Sequence, residues 1–202
     1  MTPSEAPSGV VVHLAGEVWS VPGLLSPEAC DRWVALGERE GFEAAPISFA
    51  GGAVLRPDLR NNGRVIVDSF DEAAALFAIT RRYLPARFEG CDLVGLNERL
   101  RLYRYGPGQY FAPHIDGAYR RGDGAQSLLT MMVYLNADCE GGTTRFDPRN
   151  ADAFEVTPET GAALFFRHPI LHAGMPVTRG WKYVLRTDVM FSRGSEGLHR
   201  RA

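Results

Sequence analysis

The run Leu128-Leu-Thr-Met-Met-Val-Tyr-Leu135 is apolar at nearly every position. A strand without polar alternation has no face to give to water, so one side needs helices over it and the other needs the wall of a cavity. That requirement excludes an open, one-sided sheet. Three further stretches have strand texture between turn signals: Arg99 to Tyr105, Ala162 to Phe166 and Lys182 to Phe191. Short strands at this spacing suggest a β-sandwich or barrel.

The covering helices are legible upstream. Ser26-Pro27-Glu28 supplies an N-cap, a first-turn proline and an acidic first turn, with Cys30, Trp33, Val34 and Gly37 on one stripe before an end near Gly41. Ser69-Phe-Asp-Glu72 reads as a capping box for a second helix that carries Ala73, Leu76, Phe77, Thr80 and Leu84 on one face until Pro85. The expected fold class is mainly β with supporting α, the N-terminal helices packed on one sheet. At 202 residues and 45% hydrophobic content, one domain is expected over residues 10–192, with helical support in 24–90 and the β core in 96–192. Residues 1–9 are expected to be a disordered tail and 193–202 a flexible one.

Balance between 22 basic and 24 acidic residues leaves a formal charge of -2, which gives no general attraction toward nucleic acid or an acidic membrane. Cys30, Cys91 and Cys139 are odd in number and far apart, so neither a disulfide framework nor a thiolate zinc site is expected. With no basic segment followed by an apolar one near Met1 and no long apolar run, the expected location is cytoplasmic. The sequence does not indicate an oligomeric state.

His114 and Asp116 stand two apart in Tyr110-Phe-Ala-Pro-His-Ile-Asp-Gly117, and residues two apart on a strand share a face. Downstream, His168-Pro-Ile-Leu-His172 offers two further imidazoles, either of which completes a two-histidine, one-carboxylate set. Such a set suits Fe(II), zinc or manganese, and three protein ligands on one face of an octahedral ion leave the opposite face for small molecules.

These ligands sit inside a longer series. Tyr103-Arg-Tyr-Gly-Pro-Gly-Gln-Tyr-Phe-Ala-Pro-His-Ile-Asp116, Tyr134-Leu-Asn136, Gly141-Gly-Thr-Thr-Arg-Phe146, Val156-Thr-Pro-Glu-Thr-Gly161, and His172 with Lys182 ten residues on, resemble the Fe(II)- and 2-oxoglutarate-dependent dioxygenases, in particular the prolyl-4-hydroxylase-like branch. The resemblance covers about residues 96 to 191, and more loosely the leading helices and Arg60-Asn-Asn-Gly-Arg64. It implies a double-stranded β-helix, a cupin-like jelly roll, around the metal. His114, Asp116 and His172 become the iron ligands, leaving His168 a supporting role. Lys182 takes the distal carboxylate of 2-oxoglutarate with Tyr134 and Thr144, Tyr105 lines the same pocket, and Arg186, four strand positions on, is the rival anchor.

The implied reaction is hydroxylation of an unactivated C–H bond of an amino-acid, peptidyl or small-metabolite substrate, using Fe(II), 2-oxoglutarate and O2, with ascorbate as an optional reductant, and releasing succinate and CO2. Retained Asp116 favours oxygenation over halogenation, because the halogenases of this superfamily have a small residue there. Some prolyl hydroxylases carry tryptophan where this chain has Asp188, which weakens the case for a peptidyl-proline substrate. Arg60, Asn62, Asn97, Arg99 and Arg120 are the substrate-side candidates, and Pro46 to Gly63 and Gly117 to Gln126 are the candidate lid loops. The alternatives are a non-catalytic metal-binding jelly roll that binds or senses, and, within the oxygenases, a nucleic-acid demethylase using Trp181 or Tyr119 for stacking. A zinc hydrolase would need a metal-site base motif that this sequence lacks.

Overall fold

The computed structural model describes residues 11–15, 17–49 and 52–193; the tails expected over 1–9 and after Arg193 lie outside the described residues. The first half runs β1 (Val12–Ala15), β2 (Val18–Val21), α1 (Pro27–Glu40), β3 (Glu43–Ala44), β4 (Ile47–Phe49), β5 (Gly52–Val54), β6 (Gly63–Asp68), α2 (Phe70–Thr80), β7 (Arg87–Phe88) and β8 (Cys91–Leu96). Next come β9 (Arg99–Tyr105), β10 (Phe111–His114), β11 (Gln126–Tyr134), β12 (Glu140–Gly141), β13 (Thr144–Asp147) and β14 (Phe154–Val156). The chain closes with β15 (Ala163–Arg167), β16 (Leu171–Gly174), β17 (Val177–Arg179) and β18 (Lys182–Ser192).

The helices begin where their caps place them. Ser26 Oγ accepts from the Ala29 amide, and Ser69 Oγ accepts from the Glu72 amide. Helix α2 stops at Thr80, short of Pro85, and continues as a single 3-10 turn over Arg81–Tyr83. The Thr80 hydroxyl donates to the carbonyls of Leu76 and Phe77 there.

Two sheets form the jelly roll. The larger has the order β1-β2-β15-β11-β18-β9-β6-β3, with β8 also on β18, and the smaller has the order β10-β16-β13-β14. Residues paired across antiparallel strands share a face. One face of the large sheet therefore carries Leu102, Leu185 and Val133, which pack with Cys30, Trp33 and Leu76 of the helices in one buried cluster. The other face carries Tyr105 with Lys182, Tyr103 with Val184 and Tyr134, Arg101 with Arg186 and Met132, and Asp188 with Thr130.

That inner face closes on the small sheet around a second buried cluster containing Tyr103, Tyr105, Met132, Tyr134, Phe146 and Phe166. Strand β11, predicted to be covered on both sides, is buried at every position from Leu129 to Tyr134. The segment from Pro46 to Gly63, read as a loop, instead contains the β4–β5 hairpin. Its last turn is tied to β10 by the Ala112 amide on Leu59 O at 2.8 Å.

Candidate metal centre

Small-sheet register brings the two histidines together. His114 pairs with His172 across β10 and β16, and His172 pairs with Phe146 of β13. The His114 and His172 ring centroids stand 4.2 Å apart, with Phe111 stacked on His114 at 3.5 Å. Each ring donates Nδ1–H to a backbone carbonyl two residues earlier, His114 to Ala112 at 2.8 Å and His172 to Ile170 at 2.9 Å. These bonds fix the tautomer and leave both Nε2 lone pairs as the available donors.

Asp116 meets them from beyond the end of β10, not from within the strand as its spacing suggested. Its amide donates to His168 O at 3.0 Å, which draws the chain toward the β15–β16 connection. Ile115 between the ligand candidates is 59% exposed and points away. Oδ1 lies 3.7 Å from His114 Nε2, and Oδ2 lies 3.7 Å from His172 Nε2. The three donors lie within 4.8 Å of one another, near the separation of about 3–3.5 Å between ligands of one small ion. By donor chemistry and convergence, His114, Asp116 and His172 fit a ferrous ion.

Charge at this point is set by burial and by Arg186. Burial pushes the His114 imidazole down to about 3, with His172 adding to the shift, and lowers His172 as well, so both rings stay neutral donors. Burial opposes ionisation of Asp116, but the Arg186 guanidinium holds its carboxyl well below the usual carboxylate range. Arg186 Nη2 reaches Asp116 Oδ1 at 2.8 Å.

The other carboxylate oxygen accepts the Thr130 hydroxyl at 2.5 Å. Since Thr130 has a single proton to give, its 3.0 Å contact with His168 Nδ1 requires that nitrogen to be the donor. His168 Nε2 then accepts from Ser127 Oγ at 2.9 Å. His168 thus supports Asp116 through Thr130, in keeping with the supporting role that the resemblance left to it. Thr130 was detectable as the hydroxyl in an otherwise apolar run, because a buried hydroxyl needs a partner.

Beyond the triad, the cavity runs between the sheets past Tyr103, Met132 and Val184 to Thr144 and Lys182. Lys182 is 3% exposed, and burial pushes its ammonium down to about 8. Its hydrogen bond is to Gly142 O at 2.6 Å, while the rings of Tyr134 and Tyr105 lie 5.2 and 5.4 Å from Nζ. No carboxylate among the described residues pairs with it. Gly142, at φ 64°, lets the backbone approach this closely; a Cβ there would stand 3.2 Å from Lys182 Cδ. Tyr134 donates to Thr144 Oγ1 at 2.7 Å, which leaves the threonine proton free for an anion beside Lys182.

The sequence-predicted substrate residues divide. Arg60 and Asn62 are buried beside the cavity, Arg60 between Tyr103 and Phe111. Asn97 is buried but spent on Asp188, its Nδ2 on Oδ2 at 3.1 Å; Arg101 reaches the same oxygen at 3.2 Å, and Arg186 lies 3.7 Å from Oδ1. Arg186, the rival carboxylate anchor, therefore stands among acids at the triad, four strand residues from Lys182. Arg99 and Arg120 are not brought to the cavity: Arg99 forks onto Asp68 at 2.9 Å on the rim, and Arg120 is exposed in a loop bridged to Gln126. Trp181 lies on Arg104 at 4.8 Å, on the helix side of the sheet, away from the cavity. Among the described residues, no helix is long and apolar enough to cross a membrane.

Residues 100–187 match the family model described as the 2OG-Fe(II) oxygenase superfamily. A candidate prolyl 4-hydroxylase of Acanthamoeba polyphaga mimivirus is 36% identical over 105 residues, which cover 43% of this chain and 42% of that one. The chain thus spans less than half the length of that relative. A PKHD-type hydroxylase of Sphingopyxis alaskensis is 29% identical over 156 residues, 72% of this chain and 69% of that one. Among solved structures, a viral collagen prolyl hydroxylase from Paramecium Bursaria Chlorella virus-1, as its 2OG complex, aligns at 25% identity with a TM-score of 0.62, covering 87% of this chain and 96% of that one. The matched segment contains the histidines, the carboxylate and the buried lysine, and the family match, the relatives and the solved structures together support the 2OG-Fe(II) oxygenase superfamily, prolyl 4-hydroxylase-like branch, a likeness that implies Fe(II), 2-oxoglutarate and O2.

Proposed function

We propose that this chain is an Fe(II)- and 2-oxoglutarate-dependent dioxygenase that hydroxylates an unactivated C–H bond of an amino-acid, peptidyl or small-metabolite substrate. The observation that carries the reading is the pairing, in one cavity, of a His-Asp-His set with a buried lysine that no carboxylate among the described residues neutralises. His114, Asp116 and His172 would hold the iron; Lys182, with Tyr134 and Thr144, would hold the far carboxylate of the co-substrate. When bound, iron, 2-oxoglutarate and O2 supply the oxidation, giving succinate, CO2 and one oxygen atom for the substrate.

The remaining tasks fall to the chain itself. Lys182 provides the charge that a carboxylate needs in an apolar enclosure, where an unpaired one would be costly. Thr144 adds a donor whose direction is set by Tyr134. Tyr105, Met132, Val184 and Phe166 give the cavity walls that exclude water. Thr130 and Arg186 hold Asp116 by both oxygens, so its orientation is set before any metal arrives.

The test has two parts. Mn(II)-loaded protein should bind 2-oxoglutarate by calorimetry, and iron-loaded protein should form succinate, with Asp116→Ala abolishing both activities. Succinate formation by Asp116→Ala at the parent rate would overturn the reading. Absence of 2-oxoglutarate binding would favour a metal-holding jelly roll without catalysis.

A further inference from the structure

On the substrate side of the cavity, the large sheet and the turn before β6 carry more positive charge than the described side chains balance. Arg186 faces Asp116, and Arg101 reaches Asp188. Neither Arg60 nor Arg64 forms an ion pair among the described residues, although Glu43 stands opposite Arg64 in the β3–β6 register. Arg64 shares the inner face, because it pairs with Tyr103 across β6 and β9. Its guanidinium is made less basic first by burial and then by the like charges of Arg60, Arg101 and Arg99.

Arg60 is the telling member. It is 6% exposed, with its guanidinium carbon 4.5 Å from the Tyr103 ring centre and 4.2 Å from that of Phe111. Nε donates to Asn62 Oδ1 at 2.8 Å and the Tyr103 and Tyr105 hydroxyls lie near the guanidinium, while Nη2 is buried with no partner in hydrogen-bond geometry. Asn62 Oδ1 takes Nε and not Nη2, and Asn62 Nδ2 is itself a donor, bound to Gly63 O at 2.7 Å. Stacking on two rings compensates part of the desolvation of a guanidinium, but it does nothing for an in-plane N–H left bare. Phe111, which Arg60 covers, also stacks on His114, so the bare donor lies one aromatic ring away from a proposed metal ligand.

We propose that Arg60, with Arg64 beside it, receives a free carboxylate of the primary substrate, so that the molecule oxidised is an amino acid or a peptide C-terminus and not an internal peptide residue. The inference rests on the dioxygenase reading above. A guanidinium edge matches a carboxylate in plane and in charge, and an anion there would supply the partner that Nη2 lacks. A carbon a few bonds from that carboxylate would then face the iron site past Phe111.

The experiment measures succinate from iron-loaded protein with 2-oxoglutarate, using the twenty L-amino acids, their carboxamides, and short peptides with free or amidated C-termini. Free carboxylates should stimulate succinate formation at least tenfold more than the matching amides, and the amino-acid and peptide arms distinguish the two sources. Arg60→Gln should raise KM for the stimulating acid at least tenfold and erase the preference over its amide, while 2-oxoglutarate binding to the Mn(II)-loaded variant stays at the parent value. If Arg60→Gln does not fold, Arg64→Gln, at a half-buried position, should weaken the same preference at least threefold. Acids that stimulate no better than amides, or a preference that survives both substitutions, overturn the proposal. Loss of 2-oxoglutarate binding in the unaltered protein would instead defeat the dioxygenase reading beneath it.

Discussion

Asp116 rests on a sheet to which it does not belong. Its chain leaves the small sheet, yet Arg186 of β18 and Thr130 of β11 hold its two oxygens from the large one. Replacing Arg186 with methionine leaves a buried carboxylate short of its cation, which costs about 3 kcal/mol or more. The metal-free variant should therefore melt well below the parent, and added Mn(II) should raise its melting temperature by more than it raises the parent's, since the ion takes over the missing charge; equal shifts would show that the ion pair is irrelevant to metal binding. Lys182 gives a pH prediction. With its ammonium at about 8 against about 10.4 when unfolded, the charged form that a carboxylate needs is full below pH 8 and lost above it. Affinity for 2-oxoglutarate should fall roughly tenfold per pH unit above 8, whereas a folded Lys182→Arg variant should be flat over that range by calorimetry. Between those two values the unfolded chain holds the extra proton, so the ligand-free protein should gain stability as pH rises. His114 and Asp116 were legible as ligand candidates from their spacing, whereas the choice of His172 over His168 and the role of Lys182 came from the family resemblance. The partners of Arg186 were not, because strand alternation gives the face a side chain occupies and not the acid its far end meets.

Elements with strong local chemistry were legible nearly to the residue. Strand β9 begins and ends where its alternating Arg99 to Tyr105 pattern does, and both helices start at their serine caps. The β4–β5 hairpin escaped notice because runs of three residues are too short for alternation to register. Ser26→Ala should cost about 1 kcal/mol in chemical denaturation, the usual loss for a helix cap. A larger effect belongs to Gly161, which joins β14 to β15 at φ 79° and whose Cβ would stand 2.0 Å from Leu25 O. Its amide donates to Tyr134 O and its carbonyl accepts the Leu25 amide, so the position links the central strand to the segment before α1. Gly161→Ala should destabilise by more than about 2 kcal/mol, and a smaller loss would mean that this link yields easily.

At the scale of the molecule, a ligand that binds only the folded form adds stability in proportion to its occupancy. Mn(II) with 2-oxoglutarate at a hundred times the dissociation constant should add about 2.7 kcal/mol, and a chelator should remove it, both read as shifts in melting temperature. The layered plan was visible in the sequence from the apolar run in β11. How the two sheets meet was not, because sandwich spacing depends on side chains packed from both sides. Asp116 makes that spacing consequential. Two prospective ligands ride on one sheet while the third is pinned to the other, so an ion at this point would work as a caliper across the sandwich. Any separation of the sheets by an ångström would leave the histidine pair intact and carry the carboxylate out of reach, so the metal's affinity would report how tightly the two halves of the fold are closed.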